Sequence, residues 1–255
     1  MDFLWIKSDY KRWRTALILL IVVCLVGFFH SVWLIGIFLT IVYMVALFEA
    51  VALFKMQKPK LIYVLALIFW IAALFYPRPV ELLFLALIIA ASFSAYSDRV
   101  DSKNALPFLY PAAPMLFLFS LYVEFGILSY VWLLAIVIAC DAGAFFTGRS
   151  LGKTPFCPTS PNKTIEGVAG GITAGTIVGT LAGLPVIAGF WGVLAISFFT
   201  SVASIFGDLF ESFLKRRAGV KDSGAILPGH GGVLDRIDSY LFAAIVMLMG
   251  LHATV

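Results

Sequence analysis

The chain has 255 residues, 62% of them hydrophobic and 13% charged, with a net charge of +4 and a mean hydropathy of +1.03. A soluble domain carries about 25% charged residues, so this chain could not cover its surface with polar groups in water. A soluble fold is excluded, and an all-α, polytopic membrane protein is expected.

The first element is the apolar run Thr15–Phe29, preceded by Lys7, Lys11, Arg12 and Arg14. No small-x-small cleavage site follows and a second run begins at once, so it is read as an uncleaved span. Eight further runs are long enough to cross, alone or packed in a bundle. They are Val32–Phe54, Leu61–Tyr76, Val80–Tyr96, Leu106–Tyr122, Ile127–Phe146, Gly167–Leu184, Val186–Phe206 and Ile237–His252. With the N-terminus inside and sides alternating, the inner segments hold the four cations above, then Lys55, Lys58, Lys60, Arg99 and Lys103. Arg149, Lys153, Lys163, Lys215, Arg216, Arg217, Lys221 and Arg236 follow, which leaves Arg78 as the one outer cation of 18 Lys and Arg. The positive-inside rule therefore supports about nine spans, N-terminus cytoplasmic and C-terminus outside. The seventh and eighth runs, joined by the uncharged LAGLPVIAG, are the weak point of the count, because they could form a re-entrant pair. The cysteines Cys24, Cys140 and Cys157 have neither metal-ligand nor disulfide spacing.

In the seventh run, Gly167, Gly171, Gly175, Gly179 and Gly183 recur every four residues. On a helix they form a groove that another helix can approach closely, within the chain or in a dimer.

Acidic residues inside spans are costly and read as functional by default. Asp141 lies near the inner end of the sixth run, and Asp208 and Glu211 at the inner end of the eighth. Glu49 ends the second run, where reaching the interface or pairing with Lys55 is the simpler reading. Asp208, Glu211, Ser212 and Lys215 share one helical face if the helix continues, and so do Asp235 and Asp238 at the start of the ninth run. Two acidic faces flanking a Gly-rich loop suit a hard cation such as Mg²⁺, which takes carboxylate oxygens, waters and substrate phosphates. Asp208 and Asp235 are the expected principal ligands, with Asp238 and Asp141 in second rank, Asp141 also as a partner for substrate.

The loop LPGHGGVLD supplies Gly229, Gly231 and Gly232 for close approach of backbone N–H groups to phosphate. Lys215, Arg216, Lys221 and Arg236 supply positive charge, and His230 is suited to bind phosphate or metal or to shuttle a proton. The other inner loop is not a Walker A loop, since three residues rather than four separate Gly148 from Gly152 and an apolar run, not a strand, precedes it. Its Ser160, Lys163 and Thr164 stand before Glu166 and the Gly-rich helix, either as an anion site or as an ordinary helix cap.

These residues carry a resemblance. Ser212, Lys215, Arg216, Lys221, Asp222, Pro228, His230, Gly231, Gly232, Asp235, Arg236 and Asp238 fill every position of a pattern that resembles the signature of phosphatidate cytidylyltransferases (CDP-diacylglycerol synthases). The stretch SPNKTIEG resembles the same family, with Asn162 at a variable place that is often basic in relatives. The specific likeness covers roughly the C-terminal half. It implies a polytopic, Mg²⁺-dependent and commonly dimeric enzyme that joins phosphatidate to the α-phosphate of CTP and releases pyrophosphate. The metal count stays open, with room for a second, monovalent cation. Lys215, Arg216, Lys221 and His230 are then expected to be catalytic alongside the acids. Ser160, Lys163, Thr164, Asp222, Gly231, Gly232 and Arg236 are expected to bind the nucleotide and its phosphates.

The nucleophile is an ionised phosphate, so no strong base is needed, which agrees with a site rich in Asp, Lys, Arg and Gly. One membrane domain is expected over 1–255, with 1–125 as scaffold and lipid access and 126–255 carrying the site. It is expected in a prokaryotic plasma membrane with the site at the cytoplasmic face and no nucleic-acid partner. Two rivals are a CTP-dependent kinase of lipid alcohols, which would transfer the γ-phosphate, and a transporter. A transporter would place its acids near the midplane, often with repeat symmetry.

Overall fold

A computed structural model describes residues 3–56, 60–96 and 102–254. Lys58 and Arg99, both counted in the charge partition, lie outside the described residues. The chain divides into two compact units, residues 1–113 with 217–236, and residues 114–216 with 237–255.

The first unit contains α1 (Phe3–Phe29), α2 (Val32–Leu53), α3 (Lys60–Phe75) and α4 (Glu81–Tyr96), then short helical turns at Ser102–Ala105 and Phe108–Ala112. Long runs of Leu, Ile, Val and Ala form helices here because in hydrocarbon each backbone N–H and C=O must be satisfied within its own segment. Within the unit, α2 carries much of the buried core, with Leu39, Tyr43, Ala46, Leu47 and Ala50 all enclosed. Tyr43 stacks on Trp70 of α3 with ring centroids 4.7 Å apart. The Trp70 indole N–H donates to Thr40 Oγ1 at 2.8 Å, so the large ring is both packed and hydrogen-bonded.

The second unit is built on α5 (Ala113–Leu151), α6 (Ile165–Gly183), α7 (Phe190–Ala218) and most of α8 (Leu234–His252), with a two-stranded hairpin between α5 and α6. Its strands are β1 (Pro155–Cys157) and β2 (Ser160–Thr164), antiparallel. Helix α5 is broken at Gly126, whose φ of 72° and ψ of −169° lie outside the helical region; only glycine adopts them without strain. Ser129 Oγ picks up the carbonyls of Leu121 and Gly126 at 3.0 and 2.7 Å. Tyr130 donates to Leu118 O at 2.6 Å, so backbone groups near the break keep partners.

The break falls between the fifth and sixth apolar runs, and each of the nine runs coincides with a helical segment. Among the described residues, four helical stretches are long and apolar enough to cross a membrane: Val32–Leu53, Phe108–Leu151, Ile165–Gly183 and Phe190–Ala218. The chain is thus an all-α membrane protein apart from its small hairpin. Helix α7 starts at Phe190 rather than at Val186, because Gly189 takes a φ of 104°, outside the helical region. It continues to Ala218, which places Asp208, Glu211, Ser212 and Lys215 on one helical face as expected. At 1.5 Å per residue, α6 and α7 are about 28 and 43 Å long, so neither is too short to cross.

The glycine groove is filled within the chain. All five of its glycines are buried. A Cβ on Gly171 would lie 2.8 Å from the Cys140 carbonyl, one on Gly175 would lie 2.5 Å from Ser201 Oγ, and one on Gly183 would strike the Trp132 ring. Helix α6 is therefore seated on α5 and α7 of its own unit at distances that admit only hydrogen on this face.

Candidate active site

In the first unit the loop after α7 is shaped by three glycines, Gly219, Gly229 and Gly231, with φ of 79°, 78° and 83°. His230 N donates to Leu227 O at 2.9 Å. With Pro228 and left-handed Gly229 between them, this is a type II turn. Leu227 N closes it by donating to Gly231 O at 3.0 Å. The Arg236 guanidinium donates twice to His230 O, at 3.1 and 2.9 Å. Asp235 Oδ2 accepts from Ser223 N, Ser223 Oγ and Gly232 N at 2.9, 2.9 and 2.8 Å.

The result is a cavity of about 600 Å³ lined by Lys221, Asp222, His230, Gly231, Arg236 and neighbouring loop residues. It is polar, carries Lys221 and Arg236, and His230 Nδ1 is buried there with no hydrogen-bond partner among the described residues. Such a site is suited to a polyanion with hydrogen-bonding groups.

In the second unit, Lys163 at the end of the hairpin reaches Asp208 Oδ2 at 2.6 Å, and Ser212 Oγ donates to Asp208 Oδ1 at 3.3 Å. Glu211 is fully buried and pairs with Lys215 at 2.5 Å, which offsets the cost of enclosing its charge. Asp238 of α8 is buried beside Glu211 and close enough to Asp208 for the two acids to interact. Asp141 and Asp238 are both charged neighbours of Tyr240.

The hairpin is fastened to α6 by Glu166, which accepts from Lys153 N, Thr154 N and Thr154 Oγ1 at 3.2, 3.2 and 2.9 Å. Thr164 is the N-cap of α6, its Oγ1 accepting from Gly167 N at 3.1 Å. The cap reading of Thr164 thus holds. Ser160 sits in β2 and pairs with Cys157, while Arg216 is exposed near the end of α7.

One expectation changes. Among the described residues Glu49 does not pair with Lys55; it is enclosed by donors of the signature loop. It is 2% exposed and accepts from Val233 N and Leu234 N at 3.0 and 2.7 Å, with Ser223 Oγ, whose one hydrogen is shared with Asp235, at 3.2 Å. Its partners are more than 170 residues away, beyond the reach of local pattern; the signal was an acid near the C-terminal end of an apolar helix, where the dipole opposes it. Asp235, expected as a ligand, accepts through Oδ2 from three loop donors. Ser223, beside Asp222 in the signature, is an organising residue that the pattern did not single out, while Glu166 fills the acidic place of the SPNKTIEG stretch.

Among the described residues no group of three or more His, Cys, Asp or Glu side chains is arranged to hold a metal by itself. The oxygen donors of Asp208 and Asp238 nevertheless fit Mg²⁺, which is typically held by one or two carboxylates together with water and substrate phosphates. Two like charges close together, eased in this structure by Lys163, are the chemistry such an ion relieves.

The model of the "Cytidylyltransferase family" matches residues 10–254. The phosphatidate cytidylyltransferase of Helicobacter pylori (strain ATCC 700392 / 26695) is 44% identical over 247 residues, covering 96% of this chain and 91% of that protein. That of Helicobacter pylori (strain J99 / ATCC 700824) is 43% identical, covering 93% of this chain and 90% of that protein. The phosphatidate cytidylyltransferase of Bacillus subtilis (strain 168) is 50% identical over 121 residues, 45% of this chain and 44% of that protein.

Proposed function

That the chain belongs to the cytidylyltransferase family is the premise from which we propose its reaction, the transfer of CMP from CTP to phosphatidate. A phosphatidate oxygen attacks the α-phosphorus of CTP, the bond from that phosphorus to the α–β bridging oxygen breaks, and pyrophosphate leaves with the electron pair. The products are CDP-diacylglycerol and pyrophosphate. The observation that carries this is the near full-length match to a protein named for that reaction, and the cationic loop cavity supports it.

The attacking group is already ionised, so the chain's task is to bring two polyanions together and stabilise the charge that develops. Lys221 and Arg236 line the cavity and are assigned to phosphate, with Gly231 and Gly232 admitting it closely. His230 is assigned a hydrogen bond to substrate through Nδ1, and Asp222 a contact to the nucleotide. In the second unit, Lys163 and Lys215 are held on carboxylates in this structure and are assigned to substrate phosphate when it enters; Arg216 and Ser160 are assigned outer contacts with it. Asp208 and Asp238 are the residues that would hold Mg²⁺, with Asp141 nearby. The ion would screen the phosphates and favour departure of pyrophosphate.

The measurement is transfer of ³²P from CTP to added phosphatidate by the purified chain with Mg²⁺. Label at the α-position is expected in the lipid product. Label entering lipid only from the γ-position would establish a lipid kinase instead, and solute flux in vesicles with no label in lipid would establish a transporter.

The reading includes nine spans with the site on the cytoplasmic face of a prokaryotic inner membrane, and a homodimer. It is supported by the division of basic residues and by a helical segment at each apolar run. A reporter fused after Val255 is expected to read as external; a cytoplasmic signal would overturn the odd count.

A further inference from the structure

Glu49 lies far in sequence from the signature loop, yet the loop is built around it. In its own helix it lies just before the last turn of α2, toward the end where the dipole disfavours an acid. It is almost wholly buried, and burial of a carboxylate is costly unless it is satisfied. Both costs are offset by what it meets: the backbone N–H groups of Val233 and Leu234, where α8 begins, and the hydroxyl of Ser223. Ser223 Oγ stands within hydrogen-bonding distance of both Glu49 Oε2 and Asp235 Oδ2, so one hydroxyl links the α2 acid to the acid that orders the loop. The fit is also steric. A Cβ on Gly224 would strike the Glu49 carboxylate, and one on Gly232 would lie 2.6 Å from Glu49 Oε2. Gly224 needs no unusual φ, so space against Glu49 accounts for its being glycine.

We infer that Glu49 is a positioning residue for the transfer reaction: its carboxylate pins the start of α8 and Ser223, and so fixes the cavity formed by Lys221, His230 and Arg236. It touches no substrate and acts through the loop. The inference rests on the reaction proposed above only for its kinetic arm.

The test compares Glu49→Gln with the unmodified full chain in detergent. Gln keeps the size and one acceptor oxygen but presents an NH₂ to groups that donate. Amide hydrogen exchange across residues 221–236 is expected to rise about tenfold or more, with α2 and α3 unchanged. The KM for CTP is expected to rise roughly ten- to a hundredfold, as for loss of a charge-assisted hydrogen bond, while kcat at saturating CTP falls less. Loop exchange and KM for CTP both at unmodified values would overturn the inference. So would lower activity with an unchanged KM, which is the mark of a smaller folded fraction. If exchange rises throughout α2 and α3, Gly224→Ala takes over the decision: its Cβ displaces the retained carboxylate and should loosen only the loop, and an unaltered loop and KM would be decisive against it. If the unmodified chain transferred no label, the proposed reaction would fail, while the exchange arm would still decide whether Glu49 fixes the loop.

Discussion

Asp208→Asn is expected to lower turnover about a hundredfold or more while the protein stays folded. Asp208 is part-exposed and sits among charges of both signs, with Lys163 on one oxygen, Ser212 on the other and Asp238 nearby. Asn keeps the size and one acceptor, so packing and the Ser212 contact survive. The lost Lys163 pair is partly solvated on both sides, and such pairs contribute only about 0–1 kcal/mol. Neutralising one of two neighbouring acids also relieves repulsion. Stability should therefore change little. Chemistry should change greatly, because removing a charged oxygen from the place where a cation meets two polyanions withdraws several kcal/mol of transition-state stabilisation. The check is the initial rate of CMP transfer against Mg²⁺ concentration, with thermal unfolding and detergent-solution homogeneity measured in parallel. Near-normal turnover with an unshifted Mg²⁺ curve would remove Asp208 from the ligand set and move attention to Asp141.

What the sequence made legible was whatever local periodicity or spacing encodes. A four-residue glycine repeat means a close helix–helix approach, and the structure supplies the partners, α5 and α7. The i, i+3, i+4, i+7 spacing of Asp208, Glu211, Ser212 and Lys215 needs only a helix that continues, and α7 does continue. The type II turn at Leu227–His230 follows from Pro228 and Gly229. What stayed hidden was pairing across distance. Asp235 reads as a ligand from its type and position, while the donors its Oδ2 accepts from lie 12 and 3 residues away. Glu49 reads as an interfacial acid because nothing within α2 announces donors 184 and 185 residues further on. Helix ends near charged or Gly-rich segments shift for the same reason: the choice between turn and helix at Val186–Gly189 is settled by the positive φ of Gly189, not by hydropathy.

Gly207→Ala should lose turnover on the order of a hundredfold although no functional side chain is removed. Gly207 immediately precedes Asp208 on α7 and is buried against α8. A Cβ there would strike the backbone carbonyl of Asp238, with the Asp238 carbonyl carbon and Phe242 Cβ each 3.2 Å away. A carbonyl oxygen inside a helix cannot rotate aside as a side chain could, so α7 and α8 must separate locally. The separation falls on the residues that carry Asp208 and Asp238, and a misplacement near 1 Å at reacting groups can cost about a hundredfold in rate. Overpacking of this kind costs roughly 1–3 kcal/mol, offset in part by the better helix propensity of Ala over Gly, about 1 kcal/mol, so the variant is expected to fold. Gly250→Ala is the control. It loads the same pair of helices, but its Cβ meets the side chain of Ile196, with Cγ1 at 2.8 Å, which can shift its rotamer, and it lies three turns from the acids. Turnover within a few-fold of the unmodified chain is expected for Gly250→Ala, with comparable unfolding temperatures for both variants. Equal turnover in the two would mean that the spacing of α7 and α8 at Gly207 does not set the geometry of the acid pair.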